Sequence, residues 1–236
     1  MSRERDFERS AKDDAPTQRE YRDLLRAAKR LDGEDELRYT FITRTMGELG
    51  LRAGEVSHMR RDWIDLERGR IEIPAHDPCD HGRDGGVCGY CRSQAKQAVS
   101  YRPDELTLEG ELQRRWKPKL DASNRSVIYN FDDSLFDLFD VFFHRHERFP
   151  WCRSAFNCWV NDLAEESDLI DDKDEIYPHA LRGYAARRFV KKGMRAHTLR
   201  RHMGWGSVEA ALDYIRMEAD DIENELTRIF DSNGKY

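Results

Sequence analysis

Residues 178–206 read PHALRGYAARRFVKKGMRAHTLRRHMGWG, a stretch with no acid, eight Lys or Arg, three His and a Trp. The chain that carries it is acidic, with a formal net charge of −6. Local rather than net charge decides polyanion binding, because counterions are released contact by contact. Within the stretch, His179 and Arg182 lie three residues apart and so share one face of a helix. Pro178 suits a first helical turn, which places both side chains near a helix start. An imidazole and a forked guanidinium held there side by side make an oxyanion or phosphate site. Leu181, Tyr184, Ala185 and Phe189 form the apolar face that anchors this helix. Gly204-Trp205 ends a following helix, and nine residues after Trp205 comes Tyr214, inside SVEAALDYIRM.

A second constellation lies in HDPCDHGRDGGVCGYC, which holds Cys79, His81, Cys88 and Cys91, with His76 just upstream. Cys88 and Cys91 have the Cys-x2-Cys spacing of a zinc knuckle. Cys79 with His81 or His76 would complete a tetrahedral N/S site for a structural zinc ion. A polar, Gly-rich loop has little core of its own, so a metal would account for its order. Cys152 and Cys158 stand beside aromatic residues and are expected to be buried. Five Cys in a chain of this kind argue against a disulfide scaffold.

These residues must be positioned by a largely helical frame. Residues 1–16 are charged and unpatterned, a flexible tail. Helices are expected over 17–33, over DELRYTFITRTMGELG, briefly over RAGEVSHMRR, over 133–147 and 154–166, then near 178–192, 196–203, 207–217 and 219–230. Trp63–Ile73 alternates around Arg68-Gly69 like a hairpin, and RRWKPK and RSVIY read as further short strands. Residues 76–104 read as a polar loop. The class is α+β, mostly helical with one small antiparallel sheet. Charge is segregated: 162–175 hold eight acids and one base, and 209–236 hold eight acids and three bases. Arg outnumbers Lys 31 to 9, and an acidic, Lys-poor chain stays hydrated in high salt. No apolar run approaches the roughly 20 residues of a membrane span, and the polar N-terminus has no signal-peptide pattern. A cytoplasmic location is expected.

The sequence resembles the tyrosine recombinases, or phage integrases, and among them the Xer-type integrases of haloarchaea and their viruses. GLRAGEV is similar to the family's first arginine motif, which places that role on Arg52 with Glu55 behind it. HALR matches the His-x-x-Arg box at His179 and Arg182. MGWGS resembles the Gly-His motif with Trp205 in the His place, and Tyr214 stands where the nucleophile stands. WKPKLDASNRSVIY is similar to the family's lysine hairpin, with Lys119 the better match and Lys117 the fallback.

The resemblance implies a tyrosine recombinase catalytic domain over 17–236, a helical core with a three-stranded antiparallel sheet. The loop 76–92 would carry the zinc, and a C-terminal helix, 218–230, would reach a neighbouring protomer or pack on its own domain. The partner would be double-stranded DNA, and the active form a homo-oligomer, a tetramer in this family. Tyr214 would form a 3′-phosphotyrosyl link, Arg52 and Arg182 would hold the phosphate oxygens, and Lys119 would protonate the leaving 5′-oxygen. His179 would take the phenol proton or hydrogen-bond the phosphate, and Trp205 would hold a phosphate oxygen through its indole N–H and pack the site. No cofactor is implied for catalysis. Only about 50 residues precede Arg52, so the usual N-terminal DNA-clamping domain is not expected here. Two alternatives share these residues: a type IB topoisomerase-like enzyme, and a DNA-binding regulator without catalysis.

Overall fold

The computed structural model describes residues 10–231; from residue 220 onward, Leu226 apart, the last helix is described by its backbone alone. The helices are α1 (Gln18–Lys29), α2 (Gly33–Gly47), α3 (Ala53–Ser57), α4 (Gly89–Tyr101), α5 (Leu108–Gln113), α6 (Asp133–Arg145), α7 (Phe156–Glu165), α8 (Pro178–Lys191), α9 (Ala196–Met203) and α10 (Glu209–Asp231). The strands are β1 (Ile64–Asp65), β2 (Arg70–Ile73) and β3 (Arg125–Ile128).

Local chemistry sets the boundaries. Thr17 caps α1, its hydroxyl accepting from the Glu20 N–H while the Glu20 carboxylate accepts from the Thr17 N–H. α2 closes at Gly47, where the Tyr21 ring of α1 lies so close that a Cβ would sit 2.2 Å from it. α6 turns Leu135, Leu138, Phe139, Phe142 and Phe143 inward. Phe41 of α2 stacks on Phe142 with ring centroids 3.8 Å apart, and Phe139 stacks on Tyr129 at 4.4 Å. Truncating a buried ring of this kind costs about 3–5 kcal/mol. α8 is the hub: nine of its residues are buried, with α2 on one side and α9 and α10 on the other. Ala185, Ala186 and Phe189 meet Leu199, Met203, Ala211 and Tyr214 in a second, smaller core.

The sheet runs in the order β1-β2-β3, antiparallel throughout, with Ile71 opposite both Ile64 and Val127. Gly69 makes the β1–β2 turn at φ +60°, and a Cβ there would meet the Phe136 ring at 2.5 Å.

Several expectations are corrected. RRWKPK is not a strand; residues 108–113 form α5, and an irregular segment leads through Lys117 and Lys119 to β3. The polar loop 76–104 is half helix, because the Cys88 sulfur accepts from the Cys91 N–H and starts α4. The two helices expected after Trp205 are one, α10, with no breaking residue between them; the side chains of Ile222, Ile229 and Phe230 lie outside those described. Cys152 and Cys158 are exposed, since α7 buries Phe156, Val160, Leu163 and Ala164 and turns residue 158 away. The end of the expected loose tail, residues 10–16, runs against α8: Ala15 is buried, and the Ala11 carbonyl lies where a Cβ on Gly183 would be.

Candidate active site

Two helix ends build the site. Gly50 at φ +70° lets the chain turn sharply out of α2 into Arg52, the residue that caps α3. Gly204 at φ +62° ends α9 and delivers Trp205. Left-handed backbone of this kind favours glycine. Arg182, on α8, lies between these two ends and is 2% exposed; its guanidinium donates to the carbonyls of Gly50 and Met203. Those bonds use two of its five N–H groups.

Arg52 is held from the other side. Its guanidinium donates to the Glu55 carboxylate at 2.9 Å, to Ser123 Oγ at 2.8 Å and to the Gly204 carbonyl at 2.9 Å. Its backbone N–H also donates to Glu55, at 2.8 Å. Glu55, 2% exposed, receives a second guanidinium as well: both terminal nitrogens of Arg125 donate to it, at 2.9 and 3.2 Å. Burial pushes the Glu55 carboxyl up, but Arg125, Arg182 and Arg52 outweigh it and hold the pKa at about 2. One ionised carboxylate therefore balances three guanidiniums. Arg125 and Ser123 lie within the stretch that resembles the lysine hairpin, but only the folded arrangement shows their part.

His179 follows Pro178 in the first turn of α8. It borders two adjoining cavities. One, of about 470 Å³, has Arg52, Glu55, Lys119, Tyr90, Gln94 and Arg153 in its wall. The other, of about 220 Å³, is bounded by Arg182, Trp205, Tyr214, Asp213 and the N-terminal residues Ser10–Lys12. His179 is exposed to the cavities, yet the protein packed against its ring, then the cations Arg182, Arg52 and Lys119, push its pKa down, to about 4. The imidazole is therefore neutral near pH 7. Tyr214 is 8% exposed, its ring stacked on Trp205 with centroids 5.4 Å apart and planes at 12°. Burial raises its phenol to about 12; Arg182 and Arg187 pull it down, while Asp13 pushes it up.

Of the two lysines, Lys117 is engaged with the buried Glu111 carboxylate at 2.8 Å. Lys119 is exposed at the wall of the larger cavity. All six residues expected at the site, Arg52, Lys119, His179, Arg182, Trp205 and Tyr214, thus stand around two cavities that share His179. The still larger cavity of about 570 Å³ beside α1 is walled by Asp13, Asp14, Asp171, Asp172 and Asp174 and would repel a polyanion. Outside the site, Lys192 and Arg195 at the α8–α9 corner and Arg201 in the last turn of α9 are exposed.

The sulfur cluster differs from its expected form. Cys79, Cys88 and Cys91 do converge, but the imidazole among them is His58, at the end of α3, and all four are buried. His81 lies beside His58, ring centroids 5.3 Å apart, and His76 instead faces the Gln113 carbonyl at 3.0 Å. His58 was missed because it sits 21 residues before Cys79, just past the arginine motif in what reads as a short helix. Among the described residues, no helix is long and apolar enough to cross a membrane.

Known proteins resemble this chain in sequence and in fold. Transposase B from transposon Tn554 of Staphylococcus aureus is 29% identical over 105 residues, which is 43% of this chain and 16% of that protein. The chain therefore spans a small part of that relative's length. Among solved structures, the Tn1549 transposon integrase in complex with circular intermediate DNA superposes with a TM-score of 0.58 at 15% identity, over 88% of this chain and 66% of that one. XerA recombinase gives a TM-score of 0.50 at 16% identity, over 94% of this chain and 66% of that one. At such identities the likeness concerns the fold: a helical body with a small three-stranded sheet. The model of the phage integrase family matches residues 16–220, from the capped start of α1 to beyond Tyr214. With that match spanning most of its length, the chain belongs to the phage integrase family, the tyrosine recombinases.

Proposed function

We propose that this chain is a site-specific DNA recombinase that cuts and rejoins strands through a 3′-phosphotyrosyl intermediate, in integration, excision or resolution of mobile DNA. The observation that carries the reading is the cavity that puts the Tyr214 phenol beside Arg182 and His179, with Arg52 and Lys119 beyond the same imidazole. Tyr214 Oη bonds to phosphorus as the bond to the 5′-oxygen breaks. The phenol proton passes to His179, which is neutral and so able to accept it. Lys119 gives a proton to the departing 5′-oxygen. Arg52 and Arg182 meet the charge on the nonbridging oxygens, and because their forks are already fixed by carbonyls and Glu55, little reorganisation is needed at the moment of reaction. Trp205 supports the phenol by stacking and offers an indole N–H. The 5′-hydroxyl of another strand then attacks the phosphotyrosyl phosphorus; Lys119 recovers its proton and the phenol regains its own, so no external energy source is consumed.

Asp13 raises the cost of ionising Tyr214, so a phosphate seated in this cavity works against that carboxylate. Lys192, Arg195 and Arg201 serve the flanking backbone, and strand exchange requires more than one protomer on the DNA. The acid surplus and low lysine content fit a salt-rich, haloarchaeal setting. Incubation with a nicked suicide duplex tests the reading: wild type should form a covalent protein–DNA adduct and Tyr214→Phe none. Undiminished adduct in Tyr214→Phe would remove the tyrosine from the mechanism, and relaxed plasmid without recombinant product would identify topoisomerase-like chemistry instead.

A further inference from the structure

His58 Nε2 lies 3.6 Å from Cys79 Sγ, 3.6 Å from Cys88 Sγ and 3.3 Å from Cys91 Sγ. All four ligand atoms fall within 4.8 Å of one another. A zinc ion bound by sulfur at about 2.3 Å and nitrogen at about 2.0–2.1 Å in a tetrahedron has N···S edges of about 3.6 Å. The cluster already has nearly those dimensions. Its surroundings are those of a ligand set. His58 Nδ1 faces the Gly54 carbonyl at 2.9 Å, which fixes the tautomer that leaves the Nε2 lone pair pointing at the sulfurs. The Cys88 N–H donates to Cys79 Sγ and the Cys91 N–H to Cys88 Sγ, both at 3.4 Å, as suits sulfur carrying negative charge. The Trp116 ring stacks on His58 at 5.5 Å and closes one side against water.

The four ligands are tied to three different walls of the larger cavity. His58 ends the five-residue helix α3 that Arg52 begins. The Cys79 N–H bonds to the Arg115 carbonyl and the Asp77 N–H to the Trp116 carbonyl, both at 2.8 Å, just before the segment that carries Lys119. Cys88 and Cys91 start α4, whose Tyr90, Gln94 and Gln97 line the same cavity. We propose that His58, Cys79, Cys88 and Cys91 hold one zinc ion, and that this ion clamps together the segments bearing Arg52 and Lys119. The second part rests on the recombinase reading for its consequence in catalysis, not for its structural content. The ion neither touches the phosphate nor takes part in the reaction; His58 and the three cysteines are positioning residues.

Metal analysis of the full chain purified from zinc-supplied cells tests the first part without any DNA. About one zinc per chain is expected, and the cobalt-substituted protein should show the visible absorption of tetrahedral thiolate-bound cobalt. His58→Ala should weaken zinc binding by more than about 100-fold, whereas His81→Ala should keep it. A metal-free wild type with alkylatable cysteines, or zinc lost in His81→Ala and kept in His58→Ala, would overturn the site. Hydrogen exchange tests the clamp: chelation of the wild-type protein should deprotect amides of 52–58 and 115–119, with α1 and α6 unchanged. Equal protection of those two segments with and without zinc would overturn the clamp even if the metal is bound. Because these readouts need no substrate, their failure is distinct from failure to form the DNA adduct.

Discussion

At the scale of residues, the site is governed by how one carboxylate is shared. Glu55 faces Arg52 and Arg125 directly and Arg182 through space, at 2% exposure. Glu55→Gln would leave three guanidiniums facing one another and should cost about 3–5 kcal/mol, read by urea unfolding. The same loss should appear in the wild type as pH falls. The folded pKa near 2 lies below the ordinary 4.5, so the stabilisation is full above about pH 4.5 and disappears as pH drops toward 2. His179 follows the opposite electrostatic logic. The protein packed around it, and then the neighbouring cations, disfavour its imidazolium, so its ring should titrate near pH 4 in the free protein by NMR. Inorganic phosphate bound between the arginines adds negative charge and should raise that midpoint; a midpoint near 6.5, unmoved by phosphate, would contradict this electrostatic picture. Arg52, His179, Arg182, Trp205 and Tyr214 were legible in the sequence because each sits in a short spaced motif. Arg125 was not, because a lone arginine in a strand does not reveal a carboxylate partner 70 residues away.

At the scale of elements, precision comes from where helices stop. α9 ends at Gly204 in left-handed backbone, and the space for a side chain there is filled: a Cβ would meet Arg125 Nη1 at 2.8 Å and the Ser123 backbone at 3.0 Å. Gly204→Ala should therefore cost more than about 1 kcal/mol in thermal or urea unfolding and lower adduct formation further than that loss explains, since the Gly204 carbonyl orients Arg52 and the next residue is Trp205. α9 was read at its true bounds because a helix closed by glycine has a sharp signature. α4 was hidden, since its first turn carries Gly, Tyr and Cys and is started by a cysteine sulfur rather than a familiar cap. RRWKPK looked like a strand because its polar and apolar residues alternate, yet it is held by tertiary partners, its Arg115 and Trp116 carbonyls on the Cys79 loop, Lys117 on Glu111 and Trp116 on His58. Where tertiary partners rather than periodicity fix the backbone, sequence pattern alone gives no warning.

At the scale of the whole molecule, an acidic chain carries one acid-free basic segment, residues 178–206. Of the eight cations in residues 178–206, Arg182 is turned inward. Arg187 and Lys191 pair with Glu218 at 3.2 and 3.3 Å. Lys192, Arg195 and Arg201 remain facing solvent. Replacing Lys192 and Arg195 by Ala should weaken binding to any duplex and reduce the slope of log affinity against log salt by about 1 for each phosphate-binding cation removed. An unchanged slope would place the DNA elsewhere. The helical class, the small sheet and the central basic helix followed from composition and periodicity. What the sequence did not disclose was that residues 10–12 lie along the cavity of Tyr214, because a charged, unpatterned segment has no signature for the surface that receives it.

The central claim is that the phenol of residue 214 becomes bonded to DNA phosphorus. The most direct measurement is mass spectrometry of the wild-type protein trapped on a nicked duplex, digested with nuclease and protease. A nucleotide remnant attached through phosphate to the peptide holding Tyr214 is the expected result. A remnant on any other residue, or a cleaved duplex with no remnant on the protein, would contradict it.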